Sequence, residues 1–221
     1  MGAPLRRPVL VDDVHEAIKA LIMDHRIAPG ARVPIDGLAR ELGVSPTPVR
    51  EALARLESAQ LVVKEPLRGY RTTPLLTPGQ LDDLFQFRLL IEPWAAARAA
   101  ERTGADGRAR LTAELASVDA PHDDTYAAYR AFTAHDARFH LLVAELAGSE
   151  QVREAFQRTH WHLHIYRLHY DRGIGPKALA EHRKVSDAVL AGDAAAADAA
   201  MREHLDRSYR DLRLPYSEGD R

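Results

Sequence analysis

"GVSPTPVREALARLESA", residues 43–59, decides how the front of this chain folds. Gly43 offers a left-handed stop to a preceding helix, Ser45 is a good N-cap, and Pro46 suits the first position of a new helix. Pro48 still falls within the first turn, where backbone N–H groups lack partners anyway. The new helix turns Val49, Leu53 and Leu56 inward, and before the stop Leu38, Ala39 and Leu42 share one face of a shorter helix over 35–42. Two helices joined by "GVS" have the spacing of a helix-turn-helix, whose second helix begins in the DNA major groove. Thr47 and Arg50 stand at that beginning.

Working outward, Val11, Val14, Ile18, Leu21 and Ile22 predict an amphipathic helix over 11–25, which "APG" at 28–30 ends. On the other side, "LVVKEPLRGYRTTP" (61–74) reads as two short β-prone runs around the turn "PLRG". A hairpin directly after a helix-turn-helix is a wing, and Lys64, Arg68 and Arg71 give it charges suited to phosphate.

The totals fit this reading. The chain has 221 residues, 46% hydrophobic and 28% charged, enough for one large or two small domains with a core. Residues 1–74 carry 11 Lys and Arg against 9 Asp and Glu, whereas 75–221 carry 19 against 23, so the front is the basic half. Cysteine is absent, which excludes disulfides, thiolate ligands and thiol nucleophiles. No apolar run approaches the roughly 18 residues of a membrane span, and the N-terminus lacks a signal-peptide core. The expectation is a cytoplasmic protein with no membrane partner.

The stretch "APGARVPIDGLARELGVSPTPVREALARLESAQLV" (28–62) resembles the winged helix of the GntR family of bacterial transcription regulators, with its Pro-Gly turn, "GVS" turn and "TPVREAL" recognition helix. The resemblance covers about the first 74 residues and implies DNA contact by Arg40, Thr47, Arg50 and Gly69. Two positions depart from the family: Pro46 replaces a usual arginine, and Gln60 a usual glycine.

After "TTPLLTP" the composition turns to Ala, Leu, Arg and Glu, predicting an antiparallel all-α bundle over 75–221. Breaks at "TGADG", "DAPH", "AGSE", "RGIGP" and "AGD" divide it into six helices: 78–103, 106–118, 123–147, 150–171, 176–191 and 194–214. The expected fold class is mainly α, with domains 1–74 and 75–221.

Asp136 and His140 lie four apart, about 40° around a helix, so both can face one centre. The full pattern, Asp136, His140, His182 and His204, resembles the metal site of the FCD effector domain found in the FadR branch of the GntR family. "DARFHLLVAELAGSEQV" (136–152) and "FRLLIEPWAAARAAE" (87–101) resemble that domain's metal-binding segment and first helix. Six helices would suit its shorter, VanR-like form. One carboxylate and three neutral imidazoles suit a divalent ion, Zn2+ first, with Ni2+, Mn2+ or Fe2+ as alternatives. Such an ion keeps positions that a small carboxylate effector can fill, and Arg88 carries over as a fork-shaped partner for it. In "HWHLHIYRLH" (160–169), His162, Tyr166 and His169 share a face that can line the same pocket, while Trp161, Ile165 and Leu168 read as core.

The function expected is a homodimeric, metal-containing, ligand-responsive transcriptional regulator reading a near-palindromic operator, and not an enzyme. The alternatives are a metal-dependent hydrolase, a regulator sensing the ion itself, and an ion that simply staples three helices.

Overall fold

The computed structural model describes residues 7–119, 126–169 and 175–218. Its chain separates into two compact units, Met1–Leu75 and Leu76–Arg221.

The first unit contains α1 (Arg7–Met23), β1 (Arg32–Val33), α2 (Ile35–Glu41), α3 (Pro46–Ser58), β2 (Val62–Glu65) and β3 (Gly69–Thr72). Gly43 has φ 66°, and Val44 N–H donates to the Ala39 carbonyl at 2.9 Å, closing α2 as a left-handed C-terminal motif. Ser45 takes the extended N-cap conformation without a side-chain cap hydrogen bond, and the prolines occupy the first turn of α3. Val14, Ile18 and Ile22 of α1 are buried with Val49, Leu53 and Leu56 of α3. The expected hairpin is present, with Lys64 opposite Tyr70 and Glu65 opposite Gly69. It is also larger than expected: β1 pairs with β3, so the sheet has the order β1-β3-β2. A two-residue strand is too short for periodicity to reveal.

The second unit is a helical bundle: α4 (Pro78–Arg102), α5 (Ala105–Leu115), α6 (Tyr126–Leu146), α7 (Glu150–Gln157), α8 (Trp161–His169), α9 (Gly175–Ala191) and α10 (Ala194–Glu218). Thr77 and Gln80 cap α4 reciprocally, each side chain meeting the other's backbone N–H. Leu81, Phe85, Ala96, Phe139, Val185, Val189, Met201 and Leu205 form one core drawn from α4, α6, α9 and α10.

The described residues thus hold seven back helices rather than six, which removes the VanR-like six-helix reading. The helix expected over 150–171 is interrupted at His160, whose φ of 44° is left-handed, giving α7 and α8. The break turns Trp161 inward, with 4% exposure. Positions 123–125 and 170–171, inside two of the expected helices, lie outside the described residues.

Candidate metal centre and nucleic-acid face

In the second unit, α6 supplies Asp136 and His140, α9 supplies His182 and α10 supplies His204. One ring nitrogen from each histidine lies within 4.8 Å of the others. His140 Nε2 is 3.2 Å from His204 Nε2, and Asp136 Oδ1 is 3.3 Å from His182 Nε2 and 3.9 Å from His140 Nε2. Donors about 2.1 Å from one ion stand roughly 3–4 Å apart, so these separations suit a shared cation. The three imidazoles are buried, at 1%, 0% and 4% exposure.

Proton placement sharpens the point. The Nδ1–H of His140 donates to Glu92 Oε2, and that of His204 to Glu181 Oε2 at 2.8 Å. His182 Nδ1 meets His135 Nε2 at 3.1 Å. With Nδ1 of His140 and of His204 engaged as donors, their Nε2 lone pairs point at one another. His182 Nε2 is buried and has no hydrogen-bond partner. Lone pairs and a carboxylate oxygen this close repel one another, and a cation among them would offset that repulsion. The residues therefore fit a metal ion.

Burial pushes the His140 imidazole down to about 4 against the pull of Glu92. His182 falls well below its usual range through burial, then the nearby His204 and His135. Both shifts favour the neutral imidazole, the form that ligates metal. Burial alone would raise the Glu92 carboxyl, but Arg88 and then His140 outweigh it and hold it at about 2.

A cavity of about 50 Å3 opens beside this cluster, lined by Arg88, Phe132, Asp136, Trp161, Ile165 and His204 among others. Of the expected effector residues, Arg88 reaches it, but its guanidinium is paired with Glu92 and lies 3.8 Å over the Trp161 ring. His162 and Tyr166 are not among the lining residues. Tyr166 packs its ring 5.8 Å from Tyr129, and the His169 side chain lies outside the described residues. From α8 the lining comes instead from Trp161 and Ile165, read as core in the sequence. Glu92, Glu181 and His135 were not singled out. The available signals were the i, i+4 spacing of Arg88 and Glu92 and the adjacency of each other residue to a ligand.

His164, one helical turn beyond His160, is pushed down to about 4, first by burial and then by the charges of Arg167 and His160. Its ordinary value is 6.5, so the unfolded chain takes up a proton between about pH 6.5 and 4 that the folded chain refuses. Stability attributable to His164 is intact above that window and is lost as pH falls through it. The loss is on the order of 2 kcal/mol. Urea titrations at pH 7.5 and 4.5 should show a smaller acid loss in His164→Gln than in the wild type.

The first unit presents a second charged surface. Arg32, Arg40, Arg50, Arg68 and Gly69 border one groove with Asp36. Arg40, Thr47, Arg50, Lys64 and Arg68 are all exposed. Thr47 and Lys64 are not among the groove-lining residues. Arg71 is committed elsewhere, its guanidinium donating to Glu65 Oε1 at 3.1 Å and to the Gly30 carbonyl. Gly69 has φ 88°, which turns the chain back into β3 without a side-chain penalty. Arg32 was missed because it lies on the short strand β1.

Residues 83–207, more than half of the chain, match the FCD domain family. Residues 10–71 match the family described as bacterial regulatory proteins, gntR family. The chain belongs to the GntR family, with an FCD domain. GntR regulators of this type are ligand-responsive, DNA-binding transcriptional regulators rather than enzymes. The FCD-containing chain is 29% identical over 224 residues to the putative L-lactate dehydrogenase operon regulatory protein of Escherichia coli, covering 89% of this chain and 83% of that protein. It is 27% identical over 213 residues to an uncharacterized HTH-type regulator of Streptomyces ambofaciens, covering 90% and 84%. Its fold is shared by E. coli McbR/YncC, with a TM-score of 0.67, 22% identity and coverage of 94% and 98%. No helix among the described residues is long and apolar enough to cross a membrane.

Proposed function

We propose that this GntR regulator holds one divalent metal ion at Asp136, His140, His182 and His204, and that a small carboxylate completing the ion's shell is its effector. The observation that carries the reading is the convergence of three Nε2 lone pairs and one carboxylate oxygen, with every Nδ1 turned outward to a partner. Zn2+ suits this donor set, with Ni2+, Mn2+ and Fe2+ the alternatives. The cavity beside it has room for several waters, and so for a small carboxylate. Arg88 stands at its wall, although orienting an effector would require the guanidinium to share its bond with Glu92. Elemental analysis, followed by a thermal-shift screen of small mono- and dicarboxylates with and without chelator, tests both halves. Stabilisation that vanishes on chelation is the expected result.

The pairing of Arg88 with Glu92 also favours a second reading, in which the ion itself is the signal. DNA affinity would then follow free metal concentration with no organic ligand present.

In the first unit, a homodimer would set two α3 helices on a near-palindromic operator in the cytoplasm. Arg50 and Thr47 would touch bases, while Arg40, Arg68, Lys64 and the newly found Arg32 would hold phosphates. Effector and operator affinities would then be linked by one coupling free energy in both directions. Arg50→Ala should weaken operator binding by about 1–3 kcal/mol, and binding to random duplex by less. Arg71→Ala should leave the salt dependence of binding unchanged, because its guanidinium is already occupied. Fluorescence anisotropy with both duplexes at several salt concentrations checks the pair, and equal losses on both DNAs would reject base contact by Arg50.

A further inference from the structure

His140 and His204 each hand the Nδ1 proton directly to a carboxylate, but His182 does not. Its Nδ1 meets a fourth histidine, His135, which is fully buried. His135 Nδ1 lies 2.9 Å from Glu114 Oε1 and 3.2 Å from the Glu114 carbonyl oxygen, both acceptors, so that nitrogen must carry a proton. In the neutral ring Nε2 is then an acceptor, and the proton between the two rings belongs to His182 Nδ1. Glu114 is fixed in turn by Arg138, which donates from two nitrogens at 2.9 Å each, and by Ser117 Oγ at 3.1 Å.

The arrangement settles a competition. Asp136 Oδ1 is 3.3 Å from His182 Nε2 without the geometry of a hydrogen bond, and a rotation of the ring would let it accept a proton placed on that nitrogen. The imidazole would then close onto the aspartate and offer no lone pair to a cation. Phe139 stacks on the His182 ring at 4.1 Å and 17°, fixing its plane but not its tautomer.

We propose that His135, oriented by Glu114, is the positioning residue that selects the metal-binding tautomer of His182 and thereby sets the affinity of the centre. This rests on the metal reading above, and the test separates the two. His135→Phe keeps a ring beside Phe139 while deleting the acceptor, and His135→Gln restores an acceptor oxygen. In the chelator-stripped protein, long-range 1H–15N NMR of the imidazoles should find the His182 proton on Nδ1 in the wild type and on Nε2 in His135→Phe. Zn2+ affinity by chelator competition should fall about 10- to 100-fold in His135→Phe and recover most of that loss in His135→Gln. Glu114→Gln, at the partly exposed end of the chain of bonds, should cost several-fold. The proposal is overturned if His135→Phe, still helical by circular dichroism, leaves the proton on Nδ1 or binds Zn2+ within about twofold of wild type. A wild type that binds no Zn2+ would remove the metal reading and the affinity half of the proposal, while the NMR measurement still decides whether His135 controls the tautomer.

Discussion

His182→Ala should bind Zn2+ at least about a hundredfold more weakly than the wild type, a larger loss than removal of an outer partner produces. The reason is geometric: α9 contributes only this one of the four candidate ligands, and the two from α6 and one from α10 could not replace it. The same loss should appear as stability. A ligand of the native state present at a thousand times its dissociation constant contributes about 4 kcal/mol. For a chain of this size that is a rise in Tm on the order of 10 °C. The wild type should show that rise when Zn2+ is added after chelation, and His182→Ala should show little of it. Unchanged metal content in the purified variant would reject His182 as a ligand.

Glu92→Ala should be the most damaging single change to the fold itself. Glu92 and Arg88 are 3% and 1% exposed, and the carboxylate serves both the guanidinium and His140. Removing it leaves a cation buried without its anion, at a cost of about 3–5 kcal/mol. Trp161 lies against the guanidinium but supplies only a ring face, worth about 2 kcal/mol when desolvated, and carries no compensating charge. Urea denaturation of the metal-free protein isolates this effect, and a loss below about 1 kcal/mol would show that Arg88 finds its neutrality elsewhere. In the metal-loaded protein Glu92→Ala should also weaken Zn2+ binding, since His140 would lose the acceptor that fixes its tautomer.

What could be read beforehand divides along physical lines. The helix-turn-helix was legible because its signals are local: Gly43 in the left-handed region, Ser45 at the N-cap and prolines in the first turn all act within a few residues. Spacing likewise paired Asp136 with His140, because a carboxylate and an imidazole four apart share a helical face, whereas His182 and His204 were nominated only by the resemblance to the FCD domain. The break at His160 was not legible. No glycine or proline marks it, and a histidine with φ 44° persists there while Trp161 packs 4.9 Å from His140 and beneath Arg88. Tertiary packing overrides local preference at that point, which is why six helices were read for seven. The groups behind the ligands were hidden for a related reason. Glu92 lies 48 residues from His140 and Glu181 lies 23 from His204. Helical periodicity says which side chains share a face but not which helices become neighbours. The same limit misassigned the α8 face, where Trp161 and Ile165 border the cavity instead of His162 and Tyr166.

The four candidate ligands span residues 136 to 204 in a chain without cysteine. An ion held there is a reversible crosslink around a long loop of the folded chain; unlike a covalent bridge it leaves on unfolding, so it stabilises through its binding to the native state. Unlike a disulfide it is indifferent to thiol redox and is dissolved by a chelator. During synthesis it cannot close until His204 has left the ribosome, by which time the segments of α4 to α9 have already been made.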